Sequence, residues 1–498
     1  MRLPASGATT AAPVLEPLLF ELEREGRAGR HVRGGENADA LIPAGFRRGE
    51  PLRLPQVTES QVVRHYMHLS EVNYSVDTGM YPLGSCTMKY NPKVNDRVAA
   101  LPGLADLHPR QDDASVQGAL ALLWELERML VKITGMDAAT LQPAAGAHAE
   151  FTAMLVFKAY HAWRGEGATR RRMIVPDSAH GTNPASAAMC GFEVTTVKSD
   201  ARGNIDLDAL TAALGPDVVG LMLTNPNTLG LFEERVRAVC DAVHAAGGLV
   251  YGDGANMNAL LGLTRPGDLG LDCIHINVHK TFSTPHGGGG PGAGPLCVKE
   301  RLRPFLPGPG VVREADGTFR RSSDDRPRSI GRVRSFFGSF GVLVRAYAYM
   351  RTLGEEGMVE TSEDAILAAN YLAARLKGRY ALAYDRPCMH EFVLSAAAQK
   401  KKGAAALDIA KALIDEGFHP SSVYFPLIVP EAMMIEPTET EPKETLDAFA
   451  DALLRIADRV ESDPAPLHDA PLTAPLRRLD EVTAARHPVL RWKPPSRP

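Results

Sequence analysis

A chain of 498 residues, 45% hydrophobic and 23% charged, is too long for one small core and too balanced for a disordered or fibrous protein, so two or three domains are expected. Its 55 basic and 59 acidic residues leave a formal charge of -4, which gives no electrostatic footprint for nucleic acid. The six cysteines (Cys86, Cys190, Cys240, Cys273, Cys297 and Cys388) form no CxxC pair, so no metal centre is expected, and their sparse use suits a reducing compartment.

The first 30 residues hold no sustained apolar core before their charges, and no run approaches the ~20 apolar residues that span a bilayer. The expectation is a cytoplasmic protein without a membrane partner. Residues 1–100 read as an irregular N-terminal arm, turn-rich at 77–95. The apolar spacing over 115–136 then predicts a helix facing a core, with Ser115 as N-cap and Gly135 as stop. Strands are expected at 171–177, 217–227, 249–254 and 273–278, and helices at 151–163 and 233–248. Strands alternating with helices imply an α/β domain built on a large, mostly parallel sheet, placed at 101–345. A long helix over 339–357 leads into a smaller α+β domain at 346–462, with a strand at 389–397 and helices at 406–418 and 444–462. The run of three lysines at 400–402 reads as a solvated loop, and 463–498 as an extended tail rich in proline and arginine.

Ligands of parallel sheets sit beyond the carboxyl ends of the strands. Asp253 and Lys280 fall there, and four segments are taken together. The small-residue segment 142–150 precedes the helix at 151–163, where free N–H groups and the helix dipole suit a phosphate. His180 follows the strand at 171–177 between small residues. Asp253 ends the strand at 249–254, and Lys280 follows the strand at 273–278 just before a run of glycines. Each has a bland reading: a helix start, a structural histidine, a turn aspartate, a surface lysine. The lysine also precedes its glycines, which excludes a Walker phosphate loop. Taken together, a phosphate cradle, a flat stacking group, a carboxylate and a lysine describe a site for pyridoxal 5'-phosphate. There the lysine would form a Schiff base and the carboxylate would keep the pyridine nitrogen protonated.

The same residues resemble a known family. The stretches at 82–95, 141–150, 177–194, 223–233, 279–295, 334–347 and 423–449 are similar, in order, to the glycine cleavage system P-protein, glycine dehydrogenase (decarboxylating), in its C-terminal, cofactor-binding half. The resemblance implies the aspartate aminotransferase-like fold of type I pyridoxal phosphate enzymes. It implies decarboxylation of glycine with transfer of the aminomethyl group to the lipoyl arm of the H-protein. It also implies a partner, subunit 1, in an α2β2 heterotetramer. By position, Lys280 resembles the Schiff-base lysine and Asp253 the partner of the pyridine nitrogen. His180 resembles the residue stacked on the ring, with Ala255 on the opposite face, and Ala145, Gly146 and Ala147 the phosphate turn. His279 and Thr281 are placed as phosphate or ring neighbours. Ala149 stands where the family usually has glycine, a change that the first turn of a helix tolerates. The rival readings are another type I enzyme, such as an amino-acid decarboxylase or aldolase, and a non-catalytic scaffold subunit.

Overall fold

The computed structural model describes residues 15–27, 41–50, 52–287, 292–322 and 327–493. Residues 288–291, with three of the four consecutive glycines, and much of the arm therefore lie outside the described residues. The chain divides into two compact units, Met1–Gly79 with Asp469–Pro498, and Met80–His468. In the smaller unit a helix spans Glu59–Val72. Thr58 opens it with a capping box: its hydroxyl accepts from Gln61 N at 3.3 Å and its own N–H donates to Gln61 Oε1 at 3.0 Å. Glu16 takes His65 and His68 at 3.0 and 2.9 Å, and Phe20 stacks on Trp492.

The larger unit is built on a sheet of β1 (Ala138–Thr140), β2 (Arg172–Pro176), β3 (Glu193–Val197), β4 (Val218–Thr224), β5 (Leu249–Asp253), β6 (Cys273–His275) and β7 (Leu296–Val298). The strands lie in the order β1-β7-β6-β5-β4-β2-β3. All pairings are parallel except those of β7, which runs against both β1 and β6. Both faces are covered, and alternate residues feed separate cores. Ile174, Leu221, Leu223 and Val250 face one cluster with Leu126 and Leu130. Met173, Val175, Val219, Met222 and Tyr251 face the other, with Phe157 and Phe305. Each fully buried aliphatic side chain contributes about 1.5–3 kcal/mol.

The covering helices include α1 (Gln117–Thr134), α2 (Gly146–Trp163), α3 (Thr182–Met189), α4 (Val236–Ala245) and the single turn α5 (Val278–Thr281). α1 ends at Gly135 in the left-handed region (φ 67°), as its sequence predicts. Ser115 is not its N-cap. Residues 113–116 form a tighter turn whose opening Asp112 takes the Ser115 N–H, and α1 begins one residue later. The strand expected at 273–278 stops at His275, because Val278 already starts α5. The helix expected at 339–357 is longer: α6 covers Phe340–Leu376, with non-helical backbone at Gly354 (φ 69°) marking two helices joined across a kink.

Beyond a two-stranded ribbon of β8 (Val311–Arg313) and β9 (Phe319–Arg321), β10 (Ala381–Leu382), β11 (Phe392–Ser395), β12 (Ser422–Val423) and β13 (Ala432–Ile435) form a four-stranded antiparallel sheet ordered β10-β11-β13-β12. The helices α7 (Ala406–Asp415) and α8 (Lys443–Ser462) accompany it. The three lysines do not form a loop: Lys400 and Lys401 end a short helix, and Lys400 and Lys402 pair with Glu431 and Glu461. Residues 82–84 return to this sheet, with Leu83 bridging to Ile435 and the Ser422 hydroxyl donating to Gly84 O at 2.8 Å. The chain therefore reaches Ser85 already anchored beside β13.

Candidate active site

Ala145 follows β1, His180 follows β2, Asp253 closes β5 and Lys280 follows β6, so the four segments stand past carboxyl ends of strands of one sheet. Asp253 is 3% exposed. Its Oδ2 accepts from Asn183 Nδ2 at 3.0 Å and its Oδ1 from the Ala255 N–H at 3.0 Å, and His275 Nε2 lies 3.6 Å away. Burial works against its charge, but the His275 charge, the Asn183 and Ala255 bonds and the Lys280 ammonium outweigh it, holding the carboxyl below the usual range. Tyr251 fixes His275 from behind, oxygen to Nδ1, at 2.5 Å.

The first turn of α3 ties His180 to this carboxylate. His180 Nδ1 lies 2.9 Å from the Thr182 hydroxyl, which donates to buried Glu150 Oε1 at 2.8 Å. Asn183 Nδ2 spans Glu150 Oε2 and Asp253 Oδ2, 3.0 Å from each. His180 also meets Phe425 edge-on, ring centres 5.7 Å apart. Glu150 and Asn183, which position these groups, carry no sequence signal as site residues. Glu150 falls within 141–150, but nothing in its spacing shows it turning inward onto α3.

The phosphate turn lies against the lysine segment. Ala145 is the extended residue before α2, and no side chain caps that helix. A Cβ on Gly146 would lie 2.3 Å from Asn277 Oδ1, beside the start of α5. A Cβ on Gly294 would lie 2.3 Å from the Ala145 carbonyl, and Gly294 N donates to Pro143 O at 3.0 Å. Gly292 brings the chain against His279 and Ala144 in the same way. Ala147 is exposed on the first turn, and Ala149 is fully buried in α2, where its N–H donates to Ala145 O as in any helix. Burial, then the Lys280 charge, pushes His279 down to about 4.

Lys280 Nζ donates to the Ser85 carbonyl at 3.0 Å. Ser85 itself has φ 63°, a left-handed conformation that side chains rarely adopt. Thr281 is fully buried, and its carbonyl accepts from Lys89 Nζ at 3.0 Å. Lys89 pairs with Glu439 at 2.5 Å, a contact that with Tyr349 lifts the lysine above its ordinary value against the cost of burial.

A pyridoxal phosphate can be tested against these residues. His279 Nδ1, Thr281 Oγ1, Thr284 Oγ1 and Asn183 Oδ1 are buried with no hydrogen-bond partner among the described residues. Such atoms await a polar group. The uncapped helix start and the side-chain-free floor at Gly292 and Gly294 suit a phosphate, and the ionised, hydrogen-bonded Asp253 suits a ring N–H. The residues fit the group.

Residues 153–412 match the family model described as aminotransferase class-V, and 361–473 that of the glycine dehydrogenase C-terminal domain. A crystal structure of glycine decarboxylase (P-protein) of the glycine cleavage system superposes with a TM-score of 0.70 at 22% identity, over 85% of this chain and 95% of that one. A glutamate decarboxylase from Lactobacillus brevis superposes at 0.62 and 12% identity, over 86% and 97%. The sheet order and the site at its carboxyl ends thus define a type I pyridoxal phosphate enzyme. Among curated relatives, a probable glycine dehydrogenase (decarboxylating) subunit 2 from Caldanaerobacter subterraneus is 56% identical over 95% of this chain and 98% of its own. One from Lysinibacillus sphaericus is 53% identical over 96% and 99%. The chain belongs to the glycine dehydrogenase (decarboxylating) subunit 2 family, and its cofactor is pyridoxal phosphate.

Proposed function

We propose that this chain carries the catalytic site for decarboxylation of glycine in the glycine cleavage system, with Lys280 as the cofactor-bearing residue. The observation that carries the assignment of residues is Asp253: a buried carboxylate held ionised by three named neighbours, with the charge of Lys280 within reach.

Pyridoxal phosphate, when bound, takes into its ring the electron pair left on the substrate carbon as carbon dioxide departs. The protein's own part is electrostatic and positional. Asp253 holds a proton on the ring nitrogen, and Asn183 and Ala255 fix the carboxylate so that it need not reorganise. His180 and Ala255 would flank the ring, and the start of α2 with Ala145, Gly146 and Ala147 would hold the phosphate. His279 and Thr281 offer their unpartnered atoms to the same ligand. Lys280 would provide the amine that holds the cofactor's aldehyde.

The aminomethyl group passes to the lipoyl disulfide of an H-protein, which serves as oxidant. The relatives are named as second subunits, which supports a partner subunit 1 and an α2β2 assembly. Among the described residues no helix is long and apolar enough to cross a membrane, and a cytoplasmic enzyme is in keeping with that. Borohydride reduction followed by peptide mapping tests the reading: the cofactor should be fixed on the Lys280 peptide. Lys280→Ala should abolish exchange of the glycine carboxyl with bicarbonate, and normal exchange in that variant would refute the assignment.

A further inference from the structure

Three buried groups stand outside the arrangement above. His390 and Glu391, just before β11, are fully buried, and Glu436, just after β13, is 1% exposed. One side-chain N or O atom from each lies within 4.8 Å of the other two. Glu391 Oε1, Glu436 Oε2 and both ring nitrogens of His390 have no partner among the described residues. His390 Nε2 stays 3.7 Å from Glu391 Oε1, too far for a hydrogen bond.

The strap that covers Lys280 also holds this pair. The Ser85 N–H donates to Glu391 Oε2 at 2.6 Å, while the carbonyl of the same residue accepts from Lys280. Two residues on, the Thr87 hydroxyl donates to Glu436 Oε1 at 2.5 Å, and Asn258 Nδ2 reaches that oxygen at 3.3 Å. Lysine and carboxyls thus grip one short segment.

Charge decides what this cluster is. Two carboxylates this close in a dry site do not both ionise without a cation. Among the described residues the charged or titratable groups facing them are Lys280, Glu439, Lys89, His390, Cys86 and Cys388, whose thiol burial keeps protonated. Lys89 is already taken by Glu439. His390 is pushed down to about 3 by burial and by Lys280, so it is neutral, and burial raises the Cys86 thiol. That leaves one ammonium, Lys280, against two carboxyls, and one further positive charge is needed.

We propose that Glu391 and Glu436 share one proton and act as the single counter-charge of Lys280, which sets how readily its ammonium gives up a proton. In the resting state the pair carries one negative charge against the lysine's positive one. Both are positioning residues that act through Lys280. The direction of titration agrees. Burial, then Glu436, raises Glu391 far above the ordinary range, and burial brings Glu436 up to about 7 against the pull of Thr87 and Lys280. The proposal rests on the reading of Lys280 as the cofactor lysine.

The test is the pH dependence of Lys280 acylation by acetic anhydride in the full-length chain stripped of cofactor, read by peptide mass spectrometry. Glutamine mimics a protonated carboxyl, so Glu391→Gln and Glu436→Gln should each leave the lysine midpoint near that of the unaltered chain. The double variant removes the counter-charge and should lower it by about one unit or more, a roughly tenfold gain in labelling below the midpoint. Two single variants that each lower the midpoint, or a double variant that does not, would overturn the proposal. The unaltered chain gives an independent check: a protonated-carboxyl infrared band at pH 7 is expected, and its absence refutes the shared proton. A stoichiometric divalent cation retained through dialysis would also refute it. If borohydride fixes the cofactor elsewhere while the midpoints behave as stated, the lysine reading fails and the proton pair stands.

Discussion

Asn183 Nδ2 lies 3.0 Å from Asp253 Oδ2 across 70 positions of sequence, and its second hydrogen goes to Glu150. One amide thus separates two buried carboxylates. Asn183→Ala should cost about 1–3 kcal/mol in chemical denaturation, because both carboxylates lose a donor. It should also weaken cofactor binding, read by equilibrium dialysis. A variant as stable as the parent would mean that Asp253 needs no such donor.

Asp253→Asn keeps the shape of the side chain but removes the charge that holds a ring proton. Bound cofactor should persist, while the glycine–bicarbonate exchange rate falls by on the order of 10²–10³, as for loss of a preorganised electrostatic group. An unchanged rate would remove Asp253 from the mechanism.

Gly294→Ala would drive a methyl to 2.3 Å from the Ala145 carbonyl, which is backbone and cannot swing aside. The expected penalty is about 1–3 kcal/mol of stability. Cofactor affinity should fall more than glycine affinity, since the displaced turn is the one proposed to hold the phosphate. Thermal melting with and without pyridoxal phosphate separates the two effects.

The buried histidines predict acid lability. Burial first, then neighbouring positive groups, pushes His279 to about 4 and His286 and His390 to about 3. A histidine lowered in the fold binds its proton more readily when unfolded. Its contribution is therefore complete above its ordinary value of 6.5 and is lost as pH falls from there toward 3–4. Each such proton steepens the decline by up to ~1.4 kcal/mol per pH unit. Replacing fully buried His390 with Leu should flatten the curve of unfolding free energy against pH between 6 and 4, roughly by that slope. Parallel curves for variant and parent would show that His390 does not titrate on unfolding.

The residues that were legible in the sequence are those whose signal is local. Asp253 and Lys280 follow apolar runs, so they fall at strand ends, and Ala145 precedes a periodic helix. What escaped is what depends on distance along the chain. β1 and β7 are three residues each, too short to show a period, and only their antiparallel pairing makes them strands. Ser85 meets Glu391 across 306 positions and Lys280 across 195. Glu391 itself, in MHEFVLS, reads as an ordinary polar residue at the mouth of a strand. Its burial arises from the strap, which no window of sequence contains.

That strap has a consequence for how the molecule is made. Residues 82–87 are among the early ones to leave the ribosome, yet the groups that seat them, Met434, Ile435, Glu436 and Glu391, are synthesised some 300 residues later. Contacts of such separation close last, because the loop between their ends must be ordered first. Until residues 391–436 have been made, the segment that caps Lys280 lacks the groups that seat it.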